Sequence, residues 1–227
     1  MQVKAIVFDL DGTLLTSQKQ LSPRNLAALT RAAELGIEIV PATGRFYGEV
    51  RSFLGSGVRY LINKALPEDK KDMTDECLAV FKAYYDIHKD DNTRPYDGVI
   101  DMLKAVRAAG LKSAIVSNKY DAAVQELKNV TFNGLVDFAV GEGNGIKTKP
   151  APDGVLLALE NLGVSRDEAV YVGDSEVDLK TAENSGLKCI AVTWGFRDRD
   201  FLFERGAKNV IDNTAELFPL VRKGELK

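Results

Sequence analysis

A parallel α/β sheet covered on both faces is the fold class this sequence predicts, and three observations predict it. Short β-branched runs alternate with stretches of helical period and length. Glycines stand where several of those helices must end. Polar clusters recur at the carboxyl ends of the strands, where such sheets bind ligands.

Val3 to Phe8 reads as the first strand, a buried run closed by a turn that carries Gly12. Further strands are expected at Ser113 to Val116, Val136 to Val140, Ala169 to Val172 and Cys189 to Val192. Helical stretches lie between them at Val99 to Ala109, Asp121 to Leu127, Pro152 to Leu162 and Asp178 to Ser185. Gly110, Gly163 and Gly186 follow three of these, where a left-handed cap residue is wanted. Thr16 to about Thr93 behaves differently. Ser22-Pro23 opens a helix, Glu49 to Leu54 reads as another, and Gly55-Ser56-Gly57 is a turn before helices at Val58 to Leu66 and Asp72 to Ile87. The polar, proline-terminated segment Asp90 to Pro95 is a hinge. The organisation expected is a core of residues 1–15 and 95–227, with a mostly helical cap, 16–94, inserted after the first strand.

Composition narrows the function classes. The 227 residues suffice for one full core and a second small domain. With 45% apolar and 28% charged residues, the chain has the make-up of a soluble globular protein. A net charge of -3 and scattered Lys and Arg argue against a nucleic acid or an anionic membrane as partner. Asp9 stops the first apolar run far short of a signal-peptide core or a membrane span, so a cytoplasmic location is expected. Cys77 and Cys189 have no metal-ligand spacing and read as reduced thiols. His88 is the only histidine, which argues against histidine-based triads and metal sites. The chemistry must use other groups.

Those groups stand at the strand ends. Phe8-Asp9-Leu10-Asp11-Gly12-Thr13 puts two acids one residue apart at the end of the first strand. Ser117-Asn118 closes the second strand, Lys149-Pro150 follows the third and opens a helix, and Gly173-Asp174-Ser175-Glu176-Val177-Asp178 ends the fourth. Taken singly, each has a bland reading: a solvated turn, a helix cap, an exposed lysine, a first-turn acid. Four such clusters in order on one sheet edge point instead to a site.

The set resembles the haloacid dehalogenase superfamily of phosphohydrolases, and within it the phosphoglycolate phosphatase-like group. Val50-Arg51-Ser52-Phe53-Leu54-Gly55, Pro95-Tyr96-Asp97-Gly98-Val99 and Val192-Thr193-Trp194-Gly195-Phe196 extend the likeness over nearly the whole chain. The resemblance implies a Rossmann-like three-layer core and a Mg²⁺-dependent phosphatase acting on a small-molecule phosphate monoester. By it, Asp9 and Asp174 give carboxylates to Mg²⁺ and Asp11 its backbone carbonyl. Asp9 is also the nucleophile, and Asp11 an acid first and a base afterwards. Gly12, Thr13, Ser117, Asn118 and Lys149 would hold the phosphoryl group, and Asp178 would orient Lys149 or a metal-bound water. Mg²⁺ suits such a site because it takes hard oxygen ligands and neutralises phosphate charge. If the substrate is 2-phosphoglycolate, a cation must meet its carboxylate, and Arg51, Arg59, Lys64 and Arg45 are candidates. An inorganic pyrophosphatase, a sugar-phosphate phosphatase and a phosphoglucomutase are the alternatives. Sequence is compatible with a monomer or a homodimer.

One segment competes. Gly36 to Arg45 resembles the strand and Thr-Gly-Arg turn of the Cof-like sugar phosphatases, where Thr43 would replace Ser117 as phosphate anchor. Two features favour Ser117. Gly110 to Asn118 is an equally good strand one βαβ step from Lys149, and Pro41 weakens Gly36 to Val40 as a central strand.

Overall fold

The computed structural model describes residues 5–9, 22–34, 38–42, 53–89, 91, 93–224 and 226. They divide into two compact units, residues 1–52 and 53–227.

In the first unit, strand β1 (Ala5–Asp9) pairs in parallel with β2 (Glu38–Ala42), and helix α1 (Pro23–Glu34) joins them. Ser22 Oγ accepts the N–H of Asn25 at 3.1 Å, which starts α1 where Ser22-Pro23 predicts. The strand β2 falls where Gly36 to Arg45 resembles a strand and turn. Pro41 does not prevent it, because among the described residues β2 pairs with β1 on one side only, and a proline is tolerated on such an edge.

The second unit opens with the Phe53 to Gly57 turn, then α2 (Val58–Ala65), a 3₁₀ turn at Glu68–Met73 and α3 (Thr74–His88). Residues 49–52 of the helix expected at Glu49 to Leu54 lie outside the described set, and Phe53-Leu54 belong to the turn. Asp90 and Asn92 of the expected hinge also lie outside it. The chain continues through α4 (Val99–Ala108), β3 (Ala114–Tyr120), α5 (Asp121–Asn129), β4 (Phe138–Glu142) and α6 (Asp153–Leu162). It ends with β5 (Val170–Gly173), α7 (Glu176–Ser185), β6 (Lys188–Val192), α8 (Arg199–Glu204), β7 (Asn209–Ile211) and α9 (Leu217–Lys223). The elements after Val192 carry no signal in the sequence, because three strand residues and six helical ones are too few to show a period.

All described ladders are parallel: β3 with β4, and β5 with β6 and β7 in that order. Both faces of the β5–β6–β7 sheet are covered, as a parallel sheet requires. Ile190 and Val192 pack with Ile211 and Leu217 on one face. Ala191, between them in sequence, packs with Leu202 and Ala207 on the other. Val155, Tyr171 and Ala182 form a third cluster, joined by Val116 and Cys189.

The β3–β4 pair is irregular where the sequence places Ser117-Asn118. Val116 stands opposite Val140 and Tyr120 opposite Glu142, so residues 117–119 face Gly141 alone in the register. A Cβ at Gly141 would lie 2.6 Å from Asp121 Cα and 2.7 Å from Asp121 N, so only glycine fits the bulge. Gly141→Ala is expected to destabilise the protein by about 1–3 kcal/mol, measured as a lower urea midpoint, since the crowding atoms are backbone. An unchanged midpoint would mean that the bulge is not as tight as described.

Candidate functional site

At the carboxyl ends of β3 and β5 a set of polar side chains is held almost out of water. Asp178, in the first turn of α7, is 4% exposed and is its hub. Lys149 Nζ donates to Asp178 Oδ1 at 2.7 Å, and the Tyr171 hydroxyl donates to the same oxygen at 3.0 Å. Ser175 Oγ–H donates to Asp178 Oδ2 at 2.7 Å, as does the Asp174 N–H at 3.2 Å. Burial opposes the ionisation of Asp178, but the Lys149 charge and these hydrogen bonds prevail and hold its carboxyl below the ordinary range. The carboxylate is therefore charged at neutral pH. A Cβ at Gly173 would collide with the Asp178 side chain, so the Gly-Asp-Ser turn needs its glycine for close approach.

Asn118 positions Lys149 from the backbone side. Its Oδ1 accepts the Lys149 N–H at 2.6 Å, and its Nδ2 donates to the Lys149 carbonyl at 3.0 Å. The second Nδ2 hydrogen goes to the Gly55 carbonyl at 2.9 Å. The Asn118 side chain thus joins the end of β3 to Lys149 and to the Gly55-Ser56-Gly57 turn, and the contact expected from the sequence between Asn118 and phosphate is one of its backbone N–H, which these bonds leave aside. Ser117 Oγ accepts the Lys119 N–H at 3.1 Å, which leaves its hydroxyl proton to donate elsewhere. Ser117, Asn118, Glu142 and Lys149 line a cavity of about 10 Å³, and Glu142 Oε2 is buried there with no hydrogen-bond partner among the described residues.

Asp174 accepts the Phe196 N–H through Oδ2 at 2.6 Å. Burial raises its pKa, with that hydrogen bond and Lys149 opposing the rise and Asp178 adding to it. An ionised Asp174 thus calls for a further cation, and a carboxylate oxygen suits a hard divalent metal such as Mg²⁺. Gly195 lies so close that a Cβ there would collide with Asp174. Arg197 braces the same loop with two bonds to Glu176, Nε to Oε2 at 2.8 Å and Nη2 to Oε1 at 2.9 Å. Among the described residues no group of three or more His, Cys, Asp and Glu stands poised for a metal.

The structure thus brings together Ser117, Asn118, Lys149, Asp174 and Asp178. Asp9 is the last residue of β1, in the other unit, where the sequence puts it at a strand end. Asp11, Gly12, Thr13, Thr43, Arg45 and Arg51 lie outside the described residues. Arg59 is exposed and paired with Asp75, and Lys64 stands over the Tyr60 ring at 5.6 Å, so both are engaged on the surface of the helical segment. Sequence reasoning missed Tyr171 and Glu142. A lone tyrosine in the run Val170-Tyr171-Val172, two residues before Gly173, was the signal for the first. Nothing marked the second.

The segment 58–89 is docked on the β3 end. Lys82 stands over the Tyr120 ring at 4.5 Å and Lys119 over the Tyr85 ring at 4.9 Å, a reciprocal pair of cation–π contacts. Lys89 pairs with Glu126 at 3.0 Å. No helix among the described residues is long and apolar enough to cross a membrane.

Comparison with known proteins gives a consistent result. Residues 6–192 match the family model for haloacid dehalogenase-like hydrolase. A phosphoglycolate phosphatase of Aquifex aeolicus is 33% identical over 86% of this chain and 86% of its own. A crystal structure from Lactobacillus delbrueckii subsp. bulgaricus, classed by name with the phosphoglycolate phosphatases, is 35% identical. It superposes with a TM-score of 0.72 over 97% of this chain and 99% of that one. The pyrophosphatase PpaX of Listeria monocytogenes is 25% identical over 99% of both chains.

The two thiols should behave differently. Burial, then the charge of Asp178, pushes the Cys189 thiol up to about 12, whereas Cys77 lines an open groove on α3. In the folded protein at pH 8, a thiol-disulfide reagent is expected to titrate Cys77 at once and Cys189 after denaturation. Because the folded pKa lies above the ordinary 9.0, the stability from keeping Cys189 protonated is complete below pH 9. It is lost as pH rises toward about 12, and Cys189→Ala should blunt that alkaline loss. Equal reactivity of both thiols in the native state would contradict this.

Proposed function

The chain belongs to the haloacid dehalogenase-like hydrolases and is a phosphatase of that family, and we propose that it hydrolyses 2-phosphoglycolate through the carboxylate of Asp9. The observation that carries this reading is the buried Lys149–Asp178 pair beside Ser117 and Asp174, a fixed positive charge at the end of parallel strands. The Aquifex aeolicus relative supports the choice of substrate.

A divalent ion such as Mg²⁺ would be held by the carboxylates of Asp9 and Asp174 and the carbonyl of Asp11, and when bound would supply positive charge to offset that of the phosphate. The Ser117 hydroxyl donates to a phosphoryl oxygen, with the N–H of Asn118 and the turn at Gly12-Thr13 beside it. Lys149 offers its charge to the oxygens on which negative charge develops. An oxygen of Asp9 bonds to phosphorus as the ester oxygen leaves, and Asp11 gives that oxygen a proton. Asp11 then takes a proton from water, the water oxygen bonds to phosphorus, and phosphate departs with Asp9 restored. Asp178 keeps Lys149 in place. The segment 16–94 serves as the cap, its Gly55-Ser56-Gly57 turn tied by Asn118 to the same residues that hold Lys149. The enzyme acts in the cytoplasm on a small molecule, as a monomer or a homodimer.

The Listeria monocytogenes pyrophosphatase supplies a second reading, pyrophosphate as substrate. A Mg²⁺-containing panel of phosphoglycolate, pyrophosphate, nucleotides and hexose phosphates separates the two by kcat/KM. Phosphoglycolate is expected to lead. A lead for pyrophosphate would replace the substrate assignment, glucose 6-phosphate formed from the 1-phosphate would indicate a mutase, and no release from any ester would remove the function.

Asp9→Asn is expected to lower kcat on the order of 10⁴-fold or more with the fold intact, since a carboxamide cannot take the phosphoryl group. Retained turnover would refute the nucleophile assignment. Ser117→Ala should cost roughly 100-fold in kcat/KM, as loss of one fixed donor does. Thr43→Ala should leave it nearly unchanged, and the reverse order would transfer the anchoring role to Thr43.

A further inference from the structure

Tyr171 makes polar contacts besides filling the core. Its ring packs with Val155 and Ala182, and the residue is 8% exposed. A phenylalanine would fill that space as well. The hydroxyl, however, accepts from Lys149 Nζ at 3.2 Å while donating to Asp178 Oδ1 at 3.0 Å. Lys149 Nζ also donates to that same Asp178 oxygen at 2.7 Å, so the three groups close a triangle. Burial, and then the negative charge of Asp178, raises the tyrosine pKa, so the hydroxyl keeps the proton it donates.

The triangle constrains a direction. An ammonium group carries three N–H bonds in fixed tetrahedral array and can spin about its Cε–Nζ axis. A single bond to Asp178 fixes one of them and leaves the group free to rock about that contact. That bond sets the spin about Cε–Nζ, and the contact with the Tyr171 hydroxyl limits the swing of the stem, so the direction of the remaining N–H is held.

We propose that Tyr171 is a positioning residue for Lys149, its hydroxyl holding the ammonium so that the remaining N–H is aimed at the phosphoryl group of the substrate. The proposal rests on the reading of Lys149 as the phosphate-facing cation and extends it to a residue that touches no substrate. The triangle lies within one compact unit, and its geometry involves none of the groups that would hold a metal.

Tyr171→Phe tests it, because the ring and its packing stay while the hydroxyl goes. Two readouts are taken beside a thermal melt. The first is the rate at which acetic anhydride, at one fixed pH, acetylates Lys149, followed by peptide mass spectrometry with the exposed Lys180 as internal reference. The second is kcat and KM for the best ester of the panel. Expected are a similar melting temperature and a several-fold faster acetylation of Lys149 relative to Lys180. A fall in kcat of about 10- to 100-fold should accompany them, with a much smaller change in KM, as when a group supporting a functional side chain is removed. A purely structural tyrosine would lower the melting temperature and leave both readouts in place, which would overturn the proposal. So would faster acetylation with an unchanged kcat. A wild-type protein that hydrolyses no ester would overturn the phosphatase mechanism instead, and the acetylation comparison would still decide whether Tyr171 holds Lys149.

Discussion

The contact between Lys149 and Asp178 is the constraint to which the described site answers. Both side chains are largely withdrawn from water, at 15% and 6% exposure, and two unpaired charges there would be costly. Their attraction offsets that cost only because the remaining lone pairs of Asp178 are filled by Ser175, Tyr171 and the Asp174 N–H. The pair therefore dictates its neighbourhood. Gly173 must lack a side chain, Ser175 must present a hydroxyl, and α7 must begin where Asp178 falls in its first turn. Loss of either partner would strand the other.

Backbone architecture delivers the lysine to that place. Lys149 has no strand of its own to fix it, and the Asn118 amide takes over by bonding its peptide group from both sides. The bulge opposite Gly141 releases residues 117–119 from regular pairing, which is why Ser117 and Asn118 project where a flat ladder would have kept them alternating. The same amide reaches Gly55, so the turn leading into α2 and α3 shares an anchor with the lysine. Two reciprocal cation–π contacts and the Lys89–Glu126 pair hold α3 on the same side.

A second brace acts on Asp174. The Phe196 N–H and the absent side chain of Gly195 let the loop after β6 close against its carboxylate, and the two Arg197–Glu176 bonds keep that loop in register with α7. The likeness of Trp194-Gly195-Phe196 to a family pattern thus has a physical basis in the space beside Asp174. Burial, opposed by the Phe196 N–H and the Lys149 charge, raises the pKa of that acid.

The sequence by itself determined the strand and helix alternation from Val99 to Val192, the glycine-ended helices, and the residues Ser117, Lys149, Asp174 and Asp178 as one set. It did so because hydrophobic period and polar strand ends are local properties that read directly from residue order. It led to a mostly helical segment before Val99 and offered the strand at Gly36 to Val40 only as a competing reading, because Pro41 weighs against a central strand. Tertiary structure alone decided that Asn118 serves the lysine backbone, that Tyr171 reaches the ion pair, and that Arg59 is taken by Asp75. Those facts depend on which side chains meet across 16 to 31 residues of chain. Such meetings are fixed by packing and burial, and no local pattern encodes them.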